Sequence, residues 1–306
     1  MTSATNTPGY WLNWRFLVSA IWVFAAMVIS ALIILRYEGS SKSTNQEGED
    51  QQEKVRTLHK DDVWKTCNES IHPVWLLTYR VFAFLLLLGL LFADAVLHGV
   101  GIFYFYTQWT LTLVTVYFGV GSLQSIYGMK SSKDLTSEIE SSDFDSGSSL
   151  LKASGIGGYA AQIIFQMCAG AVVLTDTVFW LIIYPFLTDS DYQLHFLDVC
   201  LHSVNAVFLL GDVALNRLSF PFFRIAYFLL WTCGFVTFQW IIHMCVSLRW
   251  PYSFLDLSSP YAPLWYLGVG ALHFPCFFVF ALIISAKHYL LSTFVHCHAQ
   301  HQYRII

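Results

Sequence analysis

The chain has 306 residues, of which 56% are hydrophobic, 17% aromatic and only 12% charged, with a formal net charge of -4. Soluble domains carry about 25% charged residues, so this composition excludes a soluble globular protein and points to one embedded in a bilayer. The small net charge argues against a nucleic-acid partner. The seven cysteines (Cys67, Cys168, Cys200, Cys233, Cys245, Cys276 and Cys297) form no Cys-x-x-Cys pair, which argues against a disulfide framework or a zinc finger.

Residues 1–15 are polar and end with Trp11 and Trp14, where an interfacial aromatic anchor is expected. The first apolar run, 16–35, exceeds the roughly 7–15 apolar residues of a signal peptide, and no small-x-small site follows it. It reads as a retained span. Residues 37–72 are rich in Ser, Gln, Glu and Lys and form a solvated loop. The second span covers 74–97 with Asp94 near its end, and the third covers 103–127. A second polar loop, 129–157, precedes the fourth span, 159–186, which contains Asp176 and Pro185. The fifth span is 194–215, the sixth runs from Arg224 to Val246, and the seventh covers 265–286 ahead of a short His-rich tail. The expected fold is all-α: a polytopic transmembrane helix bundle of about seven spans. It comprises a span plus polar loop (1–73), a six-span bundle carrying the site (74–290) and a cytosolic tail (291–306).

Orientation follows from the basic residues. Lys42, Lys54, Arg56, Lys60 and Lys65 lie in the first loop, Lys130, Lys133 and Lys152 in the second, and Arg217 and Arg224 after the fifth span. Links after spans two and four have no Lys or Arg, and the link after span six has only Arg249. The expectation is an N-terminus outside and a C-terminus in the cytosol. The sequon Asn68-Glu-Ser70 then faces the cytosol and stays unglycosylated. Endoplasmic reticulum and plasma membrane both fit.

Within span five, His202, Asn205, Asp212 and Asn216 recur at offsets of three, seven and four, which puts them on one side of a continuous helix. Such a stripe at membrane depth is either glue between helices or chemistry. Counting about 1.5 Å per helical residue places Asp94, Thr107, Asp176, His202, His243 and His273 in the same, outer half of the membrane. His98 and His195, at span ends, read as interfacial residues bonded to backbone. A hydroxyl and an imidazole suffice for acyl transfer, with the histidine taking the threonine proton and returning it to the leaving alcohol. Several histidines and a carboxylate from separate helices are alternatively a metal site, although no His-Glu-x-x-His motif is present, and a bis-histidine haem is a more distant possibility.

The segment Phe-Tyr-Thr107-Gln-Trp-Thr-Leu-Thr-Leu-Val-Thr-Val-Tyr-Phe-Gly119 resembles a motif of the androgen-induced family of membrane threonine hydrolases. Leu201-His202, with Asp212 ten residues on, is similar to that family's Met-His segment and the Glu that follows it. Gln-Trp-Ile-Ile-His243 and Trp250-Pro-Tyr-Ser-Phe-Leu-Asp256 resemble two further family segments. The matches span about residues 74–286. The resemblance implies a fatty-acid ester hydrolase with Thr107 as nucleophile and His202 as base, with Thr110, Thr112 and Thr115 as neighbouring hydroxyls. Asp176, His243, Asn205 and Asp212 are supporting candidates: Asp176 or His243 to hold the imidazole, and Asp212, about 15 Å along the helix from His202, for a structural role. The segment 209–221 also resembles rolling stone-like and plant multi-spanning proteins, which keeps a non-enzymatic scaffold or fusion-related role as the alternative. A metal-dependent hydrolase is the second alternative. The expected partner is a membrane lipid or fatty-acyl ester; no cofactor, metal or nucleic acid is expected for the leading reading.

Overall fold

The structure is a computed structural model that describes residues 5–39, 60–68, 70–139, 156–188 and 193–303. Most of both polar loops, the middle residue of the sequon and the last three residues lie outside the described residues. Among those described there is no β-strand, only an isolated bridge between Thr66 and Asn216. The elements in order are α1 (Pro8–Trp11), α2 (Trp14–Gly39), α3 (Pro73–His98), α4 (Tyr106–Ile139) and α5 (Ile156–Val178). They continue with α6 (Tyr184–Phe186), α7 (Phe196–Leu201), α8 (Val204–Leu215), α9 (Ile225–Cys245) and α10 (Ala262–Tyr303). The protein is a multi-pass membrane protein: six of its helical stretches are long and apolar enough to cross a bilayer.

Those six stretches correspond to spans one, two, four, five, six and seven of the sequence reading. The third span is different in kind. Helix α4 carries Thr107, Gln108, Thr110, Thr115, Ser122 and Ser125, all buried, so its apolar content falls short of a lipid-facing span. It nevertheless runs the length of α3, antiparallel to it. Gln108 donates to Asp94 at one end of the pair, 2.9 Å, and at the other end Arg80 donates to the Ser125 hydroxyl, 3.0 Å. A helix buried among others needs no lipid-facing apolar stripe.

Three boundaries differ from the sequence reading. Helix α4 continues to Ile139, into the stretch expected to be loop, and α10 continues to Tyr303, through the stretch expected to be a tail. The fifth span is broken. Helix α7 ends with His202 as its C-cap and α8 restarts after Ser203, whose φ of -146° and ψ of -38° leave the helical region. The His202 carbonyl accepts from the Trp180 indole at 2.9 Å, while the amide of Ala206, its partner in an unbroken helix, donates to the Asn205 side chain at 2.8 Å. The four-residue stripe is therefore not one helical face: Asn205, Asp212 and Asn216 belong to α8 and its C-cap, and His202 belongs to the break.

Opposite that break, α5 passes into one turn of π-helix, Phe179–Ile183. Pro185 follows, and a proline ring crowds the carbonyl four residues before it, here Leu181, so the wider turn relieves the conflict.

Buried charge ties the helices together at one end of the bundle. The Arg80 guanidinium donates to Asp212 (Nε to Oδ1, 2.8 Å) and to the Val63 carbonyl (2.7 Å). Asp212 also accepts from the Tyr117 hydroxyl at 2.5 Å and the Asn216 amide at 2.7 Å. Nearby, Arg224 donates to Glu38 at 2.9 Å and to Gln162 at 2.6 Å, linking α2, α5 and the start of α9. At bilayer depth a charge persists only when paired and hydrogen-bonded, and these clusters meet both conditions.

Candidate functional site

The opposite end of the bundle holds a cavity of about 380 Å³. Its walls come from the start of α4, the π-turn after α5, the α7–α8 break and α9, with Val269 from α10. Its roof is the connection between α9 and α10. Pro251, Tyr252, Ser253, Phe254 and Leu255 all face it, so the Trp-Pro-Tyr-Ser-Phe-Leu-Asp motif of the sequence is the cover of a cavity.

The roof is pinned by aromatic residues with polar tips. The Tyr10 hydroxyl donates to Asp256 at 2.7 Å and accepts from the Trp250 indole at 2.8 Å and the Leu257 amide at 3.1 Å. Tyr104 donates to the Arg249 carbonyl at 2.7 Å. Burial pushes the Tyr104 phenol up to about 12 and raises Tyr252 and Tyr10 above the ordinary tyrosine value. All three remain neutral hydrogen-bonding groups at physiological pH.

Thr107 and His202, the pair expected from sequence, both line this cavity. Of the four hydroxyls considered on α4, Thr107 alone does so. Thr110 pairs with Thr175 at 3.0 Å, while Thr112 and Thr115 donate to carbonyls one turn back, at 2.6 and 2.8 Å. The Tyr252 hydroxyl accepts from the Tyr106 amide at 3.0 Å and, like Thr107, belongs to the cavity wall. The His202 ring lies flat on Phe179, with centroids 3.6 Å apart and an interplanar angle of 2°. Its Nδ1 is buried and has no partner, which leaves Nε2 as the nitrogen that can meet the cavity. No hydrogen bond joins Thr107 to His202.

The supporting candidates divide. Asp176 lies against the Asn205 side chain, and Asp176 Oδ1 and Asn205 Nδ2 are, like His202 Nδ1, buried without a close partner. His243 is fully engaged elsewhere: one ring nitrogen meets the Tyr104 hydroxyl at 2.8 Å, the other the Gln239 carbonyl at 2.7 Å, and the ring stacks on Trp250 at 3.7 Å. It holds the roof, not the His202 imidazole. Asp212 is at the far end of the bundle, paired with Arg80. Asp94 accepts from Gln108 and contacts His98 Nδ1 at 2.7 Å, clamping the corner between α3 and α4. At that corner Gly99 has a φ of +76°, which a side chain resists.

The sequence reading missed Arg80, Tyr252 and Thr232. An arginine inside an apolar run is itself a signal of a buried partner. Thr232 gave no such signal, because threonines are common in apolar helices. Its hydroxyl lies 2.8 Å from both the Tyr106 hydroxyl and His273 Nε2. Among the described residues no three His, Cys, Asp or Glu side chains converge as a metal site. No protein-family model matches the chain, and no curated protein and no solved structure matches it.

Proposed function

We propose that this protein is an integral membrane hydrolase that cleaves a fatty-acyl ester through an acyl-threonine intermediate in the roofed cavity. The observation that carries the reading is that Thr107 and His202, contributed by separate elements, line the same cavity. The motif resemblance to membrane threonine hydrolases supports it and names that pair as nucleophile and base. The lining is largely aromatic and aliphatic, which suits an acyl chain entering from the bilayer. A low-dielectric wall also strengthens any donor that meets a developing oxyanion.

Purified protein in lipid nanodiscs, treated with a long-chain fluorophosphonate, tests this. Covalent labelling that a fatty-acyl ester suppresses and a chelator leaves intact supports the hydrolase. A protein that takes no label and cleaves no ester contradicts it.

A second reading, a non-enzymatic scaffold, has its own support. Asp212 and Asn216 bond across to α3, α4 and α10, which is how polar residues join helices within a bilayer. The metal-dependent reading has no such support, since no donor cluster converges among the described residues.

A further inference from the structure

A second cavity, of about 360 Å³, lies between α2, α9 and α10. It shares five wall residues with the first: Thr232, Val236, Phe254, Leu255 and Val269. Of these, Thr232 alone carries a nucleophilic hydroxyl that is hydrogen-bonded to an imidazole.

The directions of those bonds are fixed by the partners. His273 Nδ1 lies 2.8 Å from the Val269 carbonyl, and a carbonyl only accepts, so Nδ1 carries the proton. In the neutral ring Nε2 is then an acceptor, and the Thr232 hydroxyl donates to it at 2.8 Å. The Tyr106 hydroxyl, also 2.8 Å from Thr232 Oγ1, donates to that oxygen in turn. The other acceptor within reach of Thr232, the Phe228 carbonyl, is farther away at 3.4 Å. A hydroxyl bonded to a base, with the base oriented by a third group, is the arrangement that activates a serine or threonine for attack.

We propose that Thr232, with His273 as general base and Tyr106 as oxyanion donor, is a nucleophilic centre for long-chain acyl esters in the wall between the two cavities. The proposal rests on the hydrolase reading and reassigns its nucleophile. Thr232 Oγ attacks the ester carbonyl carbon and its proton passes to His273 Nε2. As electron density leaves Oγ, the Tyr106 O–H turns to the carbonyl oxygen. Collapse breaks the ester C–O bond, and the leaving alcohol takes the proton from Nε2. Water then attacks the acyl-threonine, gives its proton to Nε2, and releases the fatty acid as that proton returns to Thr232. With a cavity on each side of Thr232, the hydrocarbon on either side of the ester has a slot.

The test is peptide mapping of the full-length protein after treatment with a long-chain fluorophosphonate in nanodiscs. Reaction forms a P–O bond at the nucleophile and expels fluoride, with His273 taking the proton. The expected adduct is on Thr232. It is lost in Thr232→Val, retained in Thr232→Ser, and reduced at least about 100-fold in His273→Ala, the scale set by removal of a general base. An adduct on Thr107 or any other residue overturns this inference and leaves the hydrolase reading standing. No adduct on wild-type protein overturns both, and mapping on wild type keeps the result independent of whether a variant folds.

Discussion

Arg80 and Asp212 neutralise each other across α3 and α8, with Nε 2.8 Å from Oδ1 and both side chains fully buried. Removing one partner strands the other charge in a low-dielectric interior, which costs about 3–5 kcal/mol. Asp212→Ala and Arg80→Ala are each expected to lower the thermal unfolding midpoint in detergent sharply. The double replacement Arg80→Met with Asp212→Leu is expected to recover part of the loss, because no charge is stranded although Tyr117 and Asn216 lose their acceptor. Single variants that melt with wild type contradict this role.

Helices α5 and α9 approach closely at Gly170, where a Cβ would meet the Phe228 ring at 2.5 Å. Phe228 in turn packs on His273, with centroids 4.4 Å apart. Gly170→Ala is expected to cost about 1–3 kcal/mol through overpacking and to weaken fluorophosphonate labelling by displacing His273. Gly234→Ala, on α9 with open space around the added Cβ, is the control expected to leave labelling unchanged and stability equal or slightly raised. Equal behaviour of the two variants in the labelling assay counts against the link between Phe228 and His273.

His243 serves the roof through Tyr104, Gln239 and Trp250. His243→Ala takes one partner from the half-buried Tyr104 hydroxyl, which keeps the Arg249 carbonyl, for a loss of about 0.5–1.5 kcal/mol. Labelling below the lowered midpoint is expected to persist. A stable His243→Ala protein that no longer labels assigns His243 to the chemistry instead.

The roof also carries a pH signature. Burial holds the Tyr104 phenol at about 12 against an ordinary value of 10.0, so the fold prefers its neutral form. The sign follows from linkage: the contribution is complete below about pH 10 and is lost as pH rises toward 12. Unfolding midpoints measured from about pH 9 upward are expected to fall over that window, and Tyr104→Phe is expected to flatten that fall. An identical slope in the variant contradicts the assignment.

The membrane class and most of the spans were legible because runs of about 20 apolar residues have few other uses. Helix α4 was harder to bound, since its Thr, Gln and Ser residues face other helices and the polar stretch after it continues the same helix to Ile139. The break at His202 was illegible because its cause lies on another element: Trp180 takes the carbonyl and Phe179 covers the ring. Pairing was equally hidden. Arg80 and Asp212 are 132 positions apart, and nothing local to either names the other. The Thr232–His273 bond joins a histidine marked by its depth to a threonine that nothing local marked, whereas Thr107 and His202 stood out through the motifs around them and share a cavity without sharing a hydrogen bond.

The most direct measurement is fatty-acid release from a long-chain acyl ester by the purified protein in nanodiscs, beside the double variant Thr107→Val with Thr232→Val. The hydrolase account predicts steady release by wild type in the presence of chelator and none by the double variant, whose valines keep the shape of the wall without its hydroxyls. Release no greater than from empty nanodiscs, or undiminished in the double variant, contradicts it.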